Sequence, residues 1–185
     1  EMGFESYMRI LREAMQELHF DSGGEGFPAA NALNGLDDVQ IDTDLEVYFP
    51  DDYVNVPSEK IRLYKELNSI RSEDLLGRFT TSLADRFGSP VPVQALELID
   101  IVRLRFAASK LFIERIVLKN NSLIAYFISD RQHPFYDSEL FSSILAKIAS
   151  GRRFKILENN DKLYIKTDGV KSVQEALNVI RSFLV

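Results

Sequence analysis

The chain has 185 residues, 45% hydrophobic and 11% aromatic, enough to pack the core of one domain, or of one domain with an appendage. It has no cysteine, which excludes disulfides and thiolate-bound metal and allows a reducing compartment; no apolar run approaches the ~20 residues of a membrane span. The net charge of −6 is uneven, because residues 20–59 hold ten acidic residues and no Lys or Arg, leaving the remainder with 22 basic against 18 acidic residues. That pattern reads as a solvated acidic segment beside a mixed surface. No basic stripe with interleaved aromatics appears, so direct nucleic-acid binding is disfavoured. No signal peptide is apparent, and a cytoplasmic location is the expectation. The chain opens at Glu1-Met2 inside a helical pattern, which suggests a piece of something larger.

Residues 1–19 predict a terminal helix, with Phe4, Tyr7, Met8, Leu11, Met15 and Leu18 on one face. Residues 20–38 predict a flexible acidic and Gly-rich linker, because Gly23, Gly24, Gly26, Pro28 and Gly35 cluster without periodicity. No G-x-x-x-x-G-K-[ST] follows, so the glycines are not a phosphate loop. Residues 39–185 predict one α+β domain.

Its first element is a strand over 39–49. Val39, Ile41, Thr43, Leu45, Val47 and Phe49 share a buried side, and Asp42, Asp44, Glu46 and Tyr48 face outward. Ser58 then caps a helix with Ile61, Tyr64, Leu67 and Ile70 inside. Ser72 caps the next, with Glu73 and Asp74 in its first turn, where the helix dipole favours acids. Its inner stripe is Leu75, Phe79, Leu83 and Phe87, closed by Gly88 and the prolines Pro90 and Pro92. After this joint, Val93, Leu96, Ile99, Val102, Leu104, Phe106, Ala107 and Leu111 make a helix apolar on most sides. Such a helix belongs at the centre of a domain.

Two Asn pairs, Asn120-Asn121 and Asn159-Asn160, each lie between β-prone runs and predict tight hairpins. A helix follows each hairpin. The first has Asp137 as cap, Leu140, Phe141, Ile144, Leu145 and Ile148 inside, and Gly151 as stop. The second opens with a capping box from Ser172 to Glu175 and buries Val173, Ala176, Leu177, Ile180 and Leu184. The fold class is therefore α+β, with helices packed on a small, mainly antiparallel sheet built from hairpins.

Chemistry is sparse. His19 and His133 are the only histidines, and neither has a partner at metal-ligand spacing. No nucleophile elbow, no Ser/His/Asp set and no Gly-rich loop before a helix is present. The acid pairs Asp37-Asp38 and Asp51-Asp52 read as linker and turn residues. No catalytic, cofactor or metal site is assigned to this chain. If the stripe of helix 73–87 faces inward, then Arg78, Thr81, Ser82 and Asp85 face outward. Asp85 falls in the last turn, where the dipole disfavours a carboxylate, and Arg86 or a partner's cation offsets it.

Several motifs carry a resemblance. Pro50-Asp51-Asp52-Tyr53, Arg62-Leu63-Tyr64-Lys65-Glu66-Leu67, Leu83-Ala84-Asp85-Arg86-Phe87-Gly88 and the run from Arg103-Leu104-Arg105 through Lys110-Leu111-Phe112-Ile113 together resemble the C-terminal domain of the bacterial transcription-repair coupling factor. Residues 3–11 are similar to the helix that ends that family's DNA-translocating motor. The chain departs at Val54-Asn55-Val56-Pro57, at Phe112 in place of a family Gly, and at Ser82, where the family often has Glu.

The resemblance implies a parent protein that removes stalled RNA polymerase by an ATP-dependent motor and recruits nucleotide excision repair. ATP and Mg are implied only for the motor domains, with no cofactor here. The domain is implied to be a non-catalytic intramolecular clamp on an N-terminal module resembling UvrB, hiding the surface recognised by UvrA. The motor domain is a further partner in the same chain, and UvrA, RNA polymerase and DNA are reached indirectly; no membrane is involved. Asp85 carries over as the acidic contact, with Ser82 and Arg78 beside it. Two other readings stand: an accessory nucleic-acid-binding domain using the mildly basic remainder, and a small-molecule enzyme whose acid–base carboxylates leave no motif.

Overall fold

In a computed structural model, the structure describes residues 39–184 apart from Arg152. The helix and linker expected over 1–38 lie outside the described residues. Within them, five strands form one sheet: β1 (Gln40–Thr43), β2 (Ile113–Lys119), β3 (Ser122–Phe127), β4 (Lys155–Asn159) and β5 (Lys162–Asp168). Five helices accompany it: α1 (Pro57–Ser69), α2 (Glu73–Phe87), α3 (Val93–Lys110), α4 (Glu139–Ser150) and α5 (Val173–Arg181). Short 3-10 turns span Pro134–Asp137 and Ser182–Leu184.

The fold is α+β, as the sequence implies. Sheet order is β1-β2-β3-β5-β4. Only the β1–β2 pairing is parallel, with Ile41 opposite Ile116; the other pairings are antiparallel. One sheet face is apolar and covered: Ile41, Ile116, Leu118, Leu123, Ala125, Phe127 and Ile165 are all buried. Against it lies α3, the hub. Ala95, Leu98, Ile99, Ile101, Val102, Leu104, Ala107 and Ala108 are buried around most of its circumference. A helix with no single apolar stripe must be covered on several sides; α3 contacts β1, β2, α1, α2 and α5. Val93 and Leu96, expected inside, lie in its first turn and are exposed.

The phase of two other helices differs from the expectation. In α2 the buried residues are Leu76, Phe79 and Leu83, while Leu75 is 48% exposed and Phe87 is half-buried. In α1 the buried residues are Leu63, Tyr64 and Leu67, and Ile61 is exposed. Ser58 does not cap α1; Val56 is the N-cap and Pro57 is the first helical residue, a position where the missing N–H costs nothing.

The first strand is also shorter than expected. The inward alternation of Val39, Ile41, Val47 and Phe49 holds, but ladder pairing is confined to Gln40–Thr43 because β2 ends at the Asn120-Asn121 turn. Asp44 Oδ2 accepts from the Asn120 N–H at 2.9 Å there.

Both hairpins form. Asn120 and Asn121 hold φ of 53° and 56°, as a two-residue turn demands. The second turn sits one residue later than expected: Asn160 and Asp161 take the positive φ values, and Asn159 belongs to β4. Ser138 caps α4 in place of Asp137, its Oγ accepting from Phe141 N at 3.2 Å, and Leu145 is exposed. The capping box of α5 forms with a twist: Ser172 Oγ accepts from Glu175 N at 3.1 Å, while Glu175 Oε2 accepts from the Lys171 N–H at 2.6 Å. Phe183, not Leu184, is the buried residue beyond α5.

Two buried-edge glutamates give this fold opposite pH responses. Glu97 of α3 accepts from Val173 N at 2.7 Å, docking α5 on the hub. Burial raises its pKa above 4.5, with Asp100 and Glu175 adding repulsion against the Val173 bond. Its ionised form is therefore disfavoured in the fold, and stability falls as pH rises through the raised value. Gln retains the acceptor without the charge. Melting curves of Glu97→Gln should match the parent chain well below pH 4.5, exceed it increasingly as pH rises through the raised value, then run parallel. For Glu114, burial also raises the pKa, but hydrogen bonds from Ser129 and Lys162 outweigh it and hold it below 4.5. Its stabilisation is present above 4.5 and is lost as pH falls through the lowered value; Glu114→Gln should therefore be less sensitive to acid than the parent.

Candidate interdomain contact surface

Helix α2 is built to present one face outward. Ser72 Oγ accepts from Leu75 N at 3.3 Å, and Glu73 and Asp74 occupy the first turn. Gly88 stops the helix with φ of 102°, a conformation that disfavours any side chain, and its N–H donates to Ala84 O at 2.9 Å. The Tyr53 hydroxyl lies against this end, 3.2 Å from Leu83 O and 2.9 Å from Gly88 O, and ties the chain before α1 to the C-terminus of α2. Burial raises the pKa of that phenol. The inner face of Leu76, Phe79 and Leu83 fixes the rotation of the helix.

Arg78, Ser82 and Asp85 then fall at i, i+4 and i+7 on the opposite side, all exposed. With Gly77 and Thr81 they line a shallow open depression along the helix. None of the three makes an ion pair or side-chain hydrogen bond among the described residues. Arg78 and Asp85 are seven residues apart, about 10 Å along the axis, too far to pair directly.

Arg86 does not offset Asp85. Its Nη2 lies 2.6 Å from Glu59 Oε2 of α1, and its guanidinium stacks over Phe87 at 4.9 Å. Glu73 is likewise committed, to Arg103 and Arg181. Glu73 and Arg86, at the two ends of α2, thus tie the helix to its neighbours, while the central outward row has no partner among the described residues.

His133 takes a packing role: its Nδ1 accepts from Phe135 N at 3.1 Å and its ring lies 5.2 Å from Phe112. His19 lies outside the described residues. Among the described residues, no cluster of three or more His, Asp or Glu could hold a metal ion, and no helix is long and apolar enough to cross a membrane.

Sequence reasoning missed a second concave surface, a cleft of about 380 Å³ that gathers Arg71, Arg103, Lys110 and Arg181. Those cations are spread over 110 positions of sequence and form no run. The one local signal is Arg71 directly before the Ser72 helix start.

The α+β fold is similar to that of the solved C-terminal domain of a transcription-repair coupling factor, which superposes with a TM-score of 0.64 over 80% of this chain and 92% of that one, at 22% identity. The chain belongs to the TRCF-domain family, whose model matches residues 43–138. It is 25% identical over 179 residues to the transcription-repair-coupling factor of Staphylococcus epidermidis strain RP62A, covering 97% of this chain and 14% of that protein. It is 26% identical over 167 residues to that of Rickettsia prowazekii, again 14% of its length, and 32% identical over 117 residues to that of Escherichia coli K12, covering 62% of this chain and 10% of that protein. The chain thus spans about one seventh or less of these relatives. The matched family segment ends before β4, β5 and α5. Yet β5 lies between β3 and β4, and α5 packs on α3, so the structural unit runs on to residue 184.

Proposed function

We propose that this domain is a non-catalytic regulatory clamp within a longer transcription-repair coupling factor. In this reading, the outer face of α2 docks on an N-terminal module resembling UvrB in the same protein and covers the surface that UvrA recognises. Engagement of stalled RNA polymerase releases it. ATP, Mg and DNA belong to the motor of the parent protein, which is cytoplasmic and uses this domain to time recruitment of nucleotide excision repair.

One observation carries this reading. Arg78, Ser82 and Asp85 form an outward row without partners among the described residues, while Glu73 and Arg86 of the same helix are both tied into the domain. The family match supports it, because the Asp-Arg-Phe-Gly motif that ends α2 lies inside the matched segment.

The test is a titration. The N-terminal module of the parent protein is expressed alone, and this chain is added in trans or joined by a flexible linker. Tethering raises the effective concentration to the millimolar range, so the linked form should show docking even where the separate pieces bind weakly. No docking in either form would overturn the reading.

A further inference from the structure

Four cations converge on a cleft that the clamp reading does not use. It lies where the α1–α2 loop, the start of α2, the end of α3 and the end of α5 with its following 3-10 turn meet. Arg103 and Arg181 reach Glu73 from two sides, at 3.4 Å and 2.9 Å, and Arg103 also pairs with Asp100. Among the described residues, Arg71 Nη1 donates only to backbone carbonyls, Asn68 O and Ile70 O. Lys110 is exposed and has no ion pair among the described residues. Among the described residues, Glu73 in the cleft and Asp100 behind it pair with Arg103 and Arg181, while Arg71 and Lys110 have no carboxylate partner and leave about two positive charges uncompensated.

The surroundings strengthen that charge. The cleft opens on the N-terminus of α2, where the first amide N–H groups have no intrahelical acceptor and the helix dipole is positive. Its apolar side is lined by Phe106, Ala107 and Leu184, which limits solvent screening.

We propose that this cleft binds a phosphate-type oxyanion, as a phosphate monoester or a phosphodiester. A phosphate group matches the uncompensated charge. Its tetrahedral oxygens accept from several guanidinium and ammonium donors at once, the geometry in which arginine is most effective. A volume of about 380 Å³ holds the phosphate with its first substituent. Glu73 is the internal competitor: it occupies the arginines in the absence of the anion and yields them to it. The site uses none of Arg78, Ser82 and Asp85, although Glu73 borders both surfaces; Lys110 and Arg71 belong to the cleft alone, so their variants test it apart from the clamp.

The test uses the whole 185-residue chain, with inorganic phosphate and pyrophosphate titrated at ionic strength held constant by sodium chloride. Phosphate should raise the melting temperature above the matched chloride sample. It should also shift the amide resonances of Ser72, Glu73, Asp74 and Lys110 in a saturable way. Lys110→Ala should weaken the affinity about two- to fivefold, the scale of one exposed charge contact. Glu73→Gln should tighten it, because the competing carboxylate is gone. A purely structural role for these residues would not move the affinity in opposite directions. Should Glu73→Gln fail to fold, Lys110→Ala and Arg71→Gln carry the test, since neither residue has a carboxylate partner to lose. A DNA duplex that displaces phosphate, with affinity falling steeply in salt, identifies the phosphodiester source. Binding of phosphate and pyrophosphate without such displacement identifies the monoester. No phosphate effect beyond chloride, or affinities unchanged in the variants, overturns the proposal.

Discussion

Leu76→Ala should lower the unfolding free energy by about 2–5 kcal/mol, whereas Leu75→Ala, one residue earlier, should change it by less than about 0.5 kcal/mol. The contrast follows from burial alone: Leu76 is fully buried and Leu75 is 48% exposed. Truncating Leu76 loses its transfer free energy and leaves a cavity between α2 and the hub, which a packed core fills only in part. Truncating Leu75 exposes a little less apolar surface and improves local helix propensity. For a chain of this length, 1 kcal/mol moves the melting temperature by roughly 2–4 °C. The pair should therefore separate clearly in thermal melts, with Leu76→Ala well below the parent and Leu75→Ala close to it. Equal losses would mean that α2 is rotated from the orientation described, and the outward row of Arg78, Ser82 and Asp85 would lose its basis.

The same pair shows why the fold was more legible in the sequence than the phase of its helices. A spacing of four residues advances about 400° around a helix, so Leu75, Phe79, Leu83 and Phe87 drift by about 120° from first to last. They cannot all sit at the centre of one face. Leu76, Phe79 and Leu83 alternate steps of three and four and stay within about 60°. The helix, its Ser72 cap and its Gly88 stop were readable; the rotation needed a choice between adjacent leucines that only the position of α3 decides. The second hairpin has the same origin. Asn159, Asn160 and Asp161 all tolerate a left-handed backbone, so local chemistry permits two turns. The pairing of Ile156 with Ile165 selects one, because a single-residue slip would turn β4 inside out.

Backbone strain was legible only as the departure at Phe112, not from the residue type itself. Phe112 holds φ of 55°, a region that costs a side-chain-bearing residue on the order of 1–2 kcal/mol. Glycine is the residue that adopts this conformation without strain. Here the ring stacks on Phe135 at 4.9 Å and lies beside His133, so aromatic packing offsets the strain. The candidate contact row was partly legible, since outwardness follows from amphipathicity. That it lacks internal partners was not, because the sequence offered Arg86 to Asp85 while the fold gives Arg86 to Glu59 across 27 residues. The cationic cleft was least legible, since it exists only where three helix ends meet.

Asp85→Arg is the substitution on which the clamp reading turns, because the domain and the parent protein should respond in opposite senses. Within the domain, Asp85 sits in the last turn of α2 with no cation paired to it among the described residues, since the neighbouring Arg86 is drawn to Glu59. Replacing it by Arg puts a favourable charge at the negative end of the helix dipole and should stabilise the isolated chain by about 0.3–1 kcal/mol. In the parent protein the same change sets a cation against the basic surface that the clamp reading requires on the N-terminal module. Juxtaposed like charges are strongly unfavourable at an interface, so docking should weaken about 10- to 100-fold. Release of the clamp should raise the affinity for UvrA correspondingly, since masking and recognition compete for one surface. A parent protein that melts no lower than before yet binds UvrA more tightly would separate lost docking from lost folding. Unchanged UvrA affinity would remove Asp85 from the contact. Arg78→Glu supplies the counterpart. Where Arg78 lies at the margin of a mostly basic partner surface, its reversal should strengthen docking. If both reversals weaken it equally, the row acts through shape and not through charge.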